Sequence, residues 1–276
     1  MTDGRDLPIG VFDSGVGGLT VLRALEEALP REAFLYLGDT ARLPYGTKSP
    51  ASVARYATQC AGLLAGRGVK ALVVACNTAA GAALPALAAR YPQLPVVGVI
   101  EPGARAALAA SPSGRVAVVA TEGTVRGGAY VAAIARLSPQ AHVTGVGCSV
   151  FVALAEEGWT EGPIVERVAH RYLDGVFAGA AAPDTLLLGC THFPVLAAAL
   201  RQAIPPGVAL VDSAHTTAQA VAELLAARGL ARAAAGAGAV PRTRFLATDG
   251  PERFARVGSI FLGRTLAPAD IELVDV

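Results

Sequence analysis

Apolar residues along this chain come in short continuous runs and do not alternate with polar ones. The runs are IGVF (9–12), AFLYLG (33–38), ALVVA (71–75), PVVGVI (95–100), RVAVVA (115–120), HVTGVG (142–147), TLLLG (185–189) and VALVDS (208–213). A strand that is apolar on both faces has to be covered on both, as in a parallel sheet lying between helices. The stretches between the runs fit that arrangement. LTVLRALEEAL, SVARYATQCAGLLAGRG and the segment around 129–137 carry apolar residues at helical spacing. The pattern predicts an α/β fold. FLATDGPERFARVGSIFLG predicts a further strand, then a helix capped by Asp249 or Gly250 with Pro251 in its first turn. The low-complexity segment ARAAAGAGAV (231–240) reads as a surface loop.

Two of the runs end alike. LVVACNT (72–78) and LLLGCTH (186–192) each place a cysteine at the strand exit, followed by polar residues, at an offset of 114. A second similarity, IGVFDSGVGG against the run leading into ATEGTV, has an offset of 108 and sets Asp13 opposite Thr121. Similar offsets in the same order predict two related α/β halves. Ligands of open parallel sheets bind beyond the carboxyl ends of the strands, so Cys76 and Cys190 are expected in one cleft between the halves.

Composition narrows the class without naming a chemistry. Hydrophobic residues make up 53% of the 276 and charged ones 16%, which suits a well-buried protein of one large or two ordinary domains. A net charge of +1 offers no electrostatic case for nucleic acid or an anionic membrane. No apolar run approaches the ~18 residues of a membrane span, and MTDGRDLP is no signal peptide, so a soluble intracellular protein is expected. Cys60, Cys76, Cys148 and Cys190 have no CxxC spacing and read as free thiols, not as a disulfide framework or a zinc site. His142, His170 and His215 show no ligand spacing, so no metal is expected.

DSGVGG (13–18) matches neither the dinucleotide fingerprint, since Thr20 stands at the third glycine, nor a phosphate loop, since no Gly-Lys pair exists. It remains either an anion-receiving turn or a tight turn with Asp13 or Ser14 as helix cap. In GDTARLPYG, Asp39, Arg42, Tyr45 and Gly46 occupy a turn that either touches ligand or only packs. A lone cysteine at a strand exit is usually a small buried hydrophobe, but two at matching places favour function. At a helix N-terminus each thiol would be acidified towards neutrality, with Asn77, Thr78 and Thr191 placed to hold a carboxylate and His192 to tune Cys190. Two such thiols suit a disulfide, a metal, or proton transfer on both faces of one carbon. The last needs one ionised and one protonated group on opposite sides. With only Lys48 and Lys70 available as lysines, a route without a pyridoxal cofactor is favoured.

The motifs GVFDSGVGGLTVL, YLGDTARLPYG, ACNTA, GVIEPG, ATEGTV, LLLGCTHFP and VDSA, in that order, make the chain resemble the glutamate racemases of the cofactor-independent aspartate/glutamate racemase superfamily. The resemblance implies that Cys76 and Cys190 are the two acid/base groups flanking the Cα of glutamate. It implies that Asp13 assists Cys76, while Glu156 and His192 assist Cys190. It further implies that Asp13, Ser14, Tyr45, Gly46, Asn77, Thr78, Thr121, Thr191 and His192 contact the substrate or shape its pocket. Also implied are no cofactor, a homodimer in the bacterial cytoplasm, and D-glutamate supply for peptidoglycan. Two pseudo-symmetric domains are expected, residues 1–97 with 208–276 and residues 98–207. Ala80, Gly127, Ser149, Ala153 and Phe193 depart from the usual pattern. The alternatives are a racemase of another amino acid or a hydantoin, and a carboxylate-binding protein without chemistry.

Overall fold

The computed structural model describes residues 4–233 and 242–276, so most of the predicted 231–240 loop lies outside the described residues. Ten strands are described: β1 Ile9–Asp13, β2 Phe34–Gly38, β3 Ala71–Val74, β4 Val96–Gly98, β5 Arg115–Ala120, β6 His142–Gly147, β7 Thr185–Leu188, β8 Ala209–Asp212, β9 Thr243–Ala247 and β10 Ile271–Leu273. The helices between them are α1 Leu19–Ala28, α2 Pro50–Gly66, α3 Asn77–Arg90, α4 Ile100–Ala109, α5 Glu122–Gly127, α6 Ala129–Leu137, α7 Val150–Glu156, α8 Pro163–Leu173, α9 Ala197–Gln202, α10 Ser213–Ala227 and α11 Pro251–Leu262.

All recorded strand pairs are parallel. They form a six-stranded sheet, β10-β9-β2-β1-β3-β4, and a four-stranded sheet, β6-β5-β7-β8. The order β2-β1-β3-β4 in the first is the order β6-β5-β7-β8 in the second. The repeat inferred from two cysteine motifs is therefore a repeat of topology, with β3 and β7 in equivalent places. Helical cover explains the continuous apolar runs: every residue of β1, β2, β3 and β7 is buried. Tyr36 of β2 meets Phe254 of α11 edge-on at 6.0 Å, one of several large side chains fully buried beneath that helix. Each such burial contributes roughly 1.5–3 kcal/mol.

Three sequence expectations shift. HVTGVG is an edge strand, largely exposed, because its Thr, Gly and His residues have only β5 beside them. PVVGVI is split, with β4 ending at Gly98 and α4 starting at Ile100 with Pro102 in its first turn. VALVDS pairs with β7, so residues 209–212 lie in the second sheet, whereas the boundary drawn at 208 placed them with the first. The chain thus crosses between sheets after β4 and again after β8, and the helices at the crossings are exchanged. Helix α4 packs on β7 and β8, and α10 packs on α1 and β4. The two lobes are stitched together where α4 and α10 pack on each other.

Candidate active site

Asp13, at the end of β1, is fully buried. Its Oδ2 accepts the Gly15 N–H at 3.0 Å, so it closes the Gly-rich turn and does not cap α1, whose N-cap is Gly18. Gly18 is needed for close approach, since a Cβ there would come within 2.5 Å of the Asp13 Cβ. Cys76 is the N-cap of α3. Its Sγ accepts the Ala79 N–H at 3.4 Å and donates to Ser14 Oγ at 3.5 Å. Asn77 and Thr78 form the first turn of α3. Tyr130 donates its hydroxyl to Asn77 Oδ1 at 2.6 Å. Thr78 Oγ1 lies 3.2 Å from Thr121 Oγ1 and 2.8 Å from Thr124 Oγ1, joining the lobes through three hydroxyls. Thr121 caps α5, as Cys76 caps α3.

On the opposite side, Cys190 follows β7. Its Sγ is 3.8 Å from His192 Nδ1, and His192 Nε2 is 3.1 Å from Glu156 Oε1 at the end of α7. Glu156 Oε2 receives Arg253 Nη2 at 2.6 Å. The first-lobe Gly turn presses on this group. Thr20 Oγ1 donates to the Thr191 carbonyl at 2.9 Å, and a Cβ on Gly17 would stand 2.6 Å from Thr191 Oγ1 and closer still to the His192 ring. The equivalent contact across the cleft is Gly46, where a Cβ would sit 2.6 Å from Thr121 Oγ1. Tyr45 is buried beside it, but its hydroxyl is bonded to Asp39 and lies near Cys60. What the Tyr45–Gly46 segment offers the cleft is therefore backbone.

Burial dominates the charge balance. Asp13 is pushed above the usual carboxylate range by desolvation, opposed by His192 and by the N–H groups of its turn. The Cys76 thiol is pushed up to about 12, by burial first and then by Asp13, against the pull of Ser14 and the Ala79 N–H. A charge on Cys190 also raises it, which places the two sulfurs within electrostatic reach of each other. The expected acidification at a helix start is thus present at Cys76 but outweighed. Cys190 has no such start, because a 3-10 turn, Phe193–Leu196, follows it instead of an α-helix. Burial lowers His192, but its bonds to Cys190 and Glu156 win and hold it up to about 10. Glu156 is opposed by burial, yet His192 and Arg253 keep it below its ordinary value.

Among the described residues, three buried side-chain polar atoms lack a partner, Asp13 Oδ1, Asn77 Nδ2 and Arg232 Nε. Two of them, one acceptor and one donor, flank Cys76. A buried polar group without a partner is costly unless a ligand satisfies it. An ammonium for Asp13 and a carboxylate for Asn77 would do so. Cys76 and Cys190 are only 5% and 7% exposed. A cavity of about 280 Å³ opens just outside, against Asn77, Thr78 and Thr124, with Lys48 and Arg126 at its wall. All four cysteines are free and buried. Among the described residues no group of three His, Cys, Asp or Glu side chains is arranged to hold a metal, and no helix is long and apolar enough to cross a membrane.

Of the predicted site residues, Ser14 meets Cys76, Thr78 meets Thr121, and Cys190, His192 and Glu156 form one chain, while the Tyr45 phenol is turned to Asp39. Sequence reading missed Thr124, Tyr130 and Arg253. Thr124 had a signal in its three-residue spacing from Thr121, but the others act across elements distant in sequence.

Residues 9–221 match the Asp/Glu/Hydantoin racemase family. The glutamate racemase of Geobacter metallireducens is 50% identical over 258 residues, covering 94% of this chain and 93% of that one. The crystal structure of Thermus thermophilus glutamate racemase in complex with beta-chloro-D-alanine is 45% identical, with a TM-score of 0.85 over 99% of this chain and 98% of that one. The Francisella tularensis glutamate racemase in complex with D-glutamate is 35% identical, with a TM-score of 0.88 over 98% of both chains.

Proposed function

The chain belongs to the Asp/Glu/Hydantoin racemase family, and from that premise we propose that it interconverts L- and D-glutamate by α-proton transfer between two thiols, without a cofactor. The observation that carries the reading is that two buried thiols, Cys76 and Cys190, one from each lobe, lie within electrostatic reach of each other, with Asp13 Oδ1 and Asn77 Nδ2 unpartnered next to Cys76. Asp13 and Ser14 take the substrate ammonium, and Asn77, Thr78 and Thr191 take its α-carboxylate. Thr121 and the Tyr45–Gly46 backbone close the side-chain end. One cysteine, as thiolate, removes the α-proton and becomes a thiol. The other, as thiol, delivers its proton to the opposite face and becomes the thiolate, so configuration inverts and the roles exchange.

The elevated Cys76 thiol bears on timing. A thiolate there is opposed by burial first and by Asp13 second, and a substrate ammonium would offset the second of these. Glu156 and His192 serve Cys190 in the corresponding way, His192 as the positive partner of its thiolate. The two lobes act as domains, and the working form is a cytoplasmic homodimer that supplies D-glutamate for peptidoglycan without binding nucleic acid. Size-exclusion with light scattering reads the dimer.

The test is α-proton exchange in D₂O with L- and D-glutamate supplied separately to wild type, Cys76→Ser and Cys190→Ser. Wild type should interconvert the enantiomers with deuterium at Cα, and each variant should lose racemisation by at least about a thousandfold, as when an activated nucleophile or base is removed. An inert wild type on glutamate that exchanges aspartate or a hydantoin would move the assignment within the family. Glutamate binding that survives both substitutions, with no exchange by wild type, would mean a binding protein.

A further inference from the structure

Helix α11 belongs to the first lobe, packing on α1 and β10, yet it touches the Glu156–His192 pair that stands behind the thiol of the second. Arg253, in its first turn, holds Glu156 Oε2 at 2.6 Å while the other oxygen of that carboxylate holds His192 Nε2 at 3.1 Å. His192 Nδ1 in turn faces Cys190 Sγ at 3.8 Å. Two turns along the same helix, Phe261 packs edge-on against the His192 ring, with centroids 5.0 Å apart and planes at 74°. Glu156 and His192 are buried, and the arginine is half-exposed. The charged and titratable groups around His192 are Cys190, Glu156 and Asp13, with Gly17 of the first lobe against its ring. Cys76 has no counterpart to this chain, because Ser14 and the Ala79 N–H that hold it both belong to its own lobe.

We propose that Arg253 is a positioning residue that makes the Cys190 arm of proton transfer depend on the two lobes being together: by clamping Glu156 from across the interface, it fixes the imidazole that faces Cys190. A carboxylate held at each oxygen by a different partner cannot rotate. Released from Arg253, Glu156 keeps one partner, and the aim of the His192 ring is no longer set from behind. An ion pair with a half-exposed arginine adds little to fold stability, so its effect should be local. The proposal rests on the two-thiol reading above.

Two measurements on Arg253→Ala, Arg253→Lys, Glu156→Gln and the double variant Arg253→Ala/Glu156→Gln decide it. The first needs no glutamate. Iodoacetamide labelling of Cys190 and Cys76 is followed by peptide mass spectrometry across pH, with Cys76 as internal control. Arg253→Ala should shift the Cys190 profile towards that of Glu156→Gln and leave the Cys76 profile in place. The second is racemisation, where Arg253→Ala should lower kcat about ten- to a hundredfold with KM little changed, as for a misaligned reacting group. Arg253→Lys should recover part of the loss, and Arg253→Ala should add nothing in the Glu156→Gln background. Equal shifts at both thiols, multiplicative losses in the double variant, or no change in either assay would overturn the proposal. If wild type leaves the α-proton of glutamate untouched, the substrate reading falls, and the labelling profiles still decide on Arg253.

Discussion

Gly17→Ala puts the inter-lobe contact to a direct test. The added methyl would stand 2.6 Å from Thr191 Oγ1 and nearer to the His192 ring, against about 3.5 Å for an ordinary carbon contact. Roughly 1 Å of overlap has to be relieved. The strain is not absorbed inside the first lobe, because the atoms it meets belong to the second. Relief comes by moving Thr191 and His192 away from the Gly turn or by parting the lobes. An error of about 1 Å in the reacting geometry costs on the order of a hundredfold in rate. Each lobe keeps its own core, so unfolding should change by no more than the roughly 1–3 kcal/mol of an overpacked site. The comparator is Gly127→Ala, on α5 beside the cavity, where a Cβ meets nothing within 4 Å. Circular dichroism of glutamate follows racemisation and thermal unfolding follows stability. Gly17→Ala should lose about two orders of magnitude in kcat/KM with its fold intact, while Gly127→Ala stays within about twofold of wild type. A Gly17→Ala enzyme that retained a third or more of wild-type activity would refute the idea that this turn presses on His192 in the working state.

Two further outcomes are expected. Alkaline pH should destabilise the fold, since His192 is held up to about 10 and Cys76 up to about 12, both above their unfolded values of about 6.5 and 8.5. Raised groups stabilise fully below the unfolded values and lose that contribution as pH climbs through the folded ones, so the thermal midpoint should fall from pH 7 to 10, and a rise would contradict the assignment. Tyr130→Phe removes the hydroxyl that orients Asn77, leaving a buried amide free to turn. A stability loss of about 1 kcal/mol and a several-fold drop in kcat/KM, mostly through KM, should follow, and unchanged kinetics would show that the amide is oriented by something else.

Much of this was legible in the sequence because the decisive features are local. Buried parallel strands announce themselves as unbroken apolar runs, and a thiol at the strand exit followed by Asn-Thr or Thr-His stands out in LVVACNT and LLLGCTH. The equivalence of the two sheets could be inferred from offsets alone. What the sequence hid is what depends on the far side of a contact. Helix starts predict acidified thiols, but the depth of burial and the proximity of Asp13 reverse the sign at Cys76. Arg253 sits 97 residues from Glu156, on a helix that reads as scaffold. Tyr45 sits in a motif that points at the ligand, yet its phenol is turned into the Asp39 network by packing that no local pattern encodes. The boundary at β8 was misplaced because VALVDS has the same character in either sheet, and only its pairing with β7 assigns it.

The two sulfurs are held by unlike groups, Ser14 and a helix-start amide at Cys76, and His192 with Glu156 at Cys190. Mirror-image substrates have identical free energies, so no arrangement of protein atoms can move the equilibrium ratio from one. Detailed balance then obliges kcat/KM to be the same for both enantiomers, however lopsided the site. The inequality of the two sides has a single outlet in the steady state: the enantiomer with the lower KM must also be the one with the lower kcat, by the same factor.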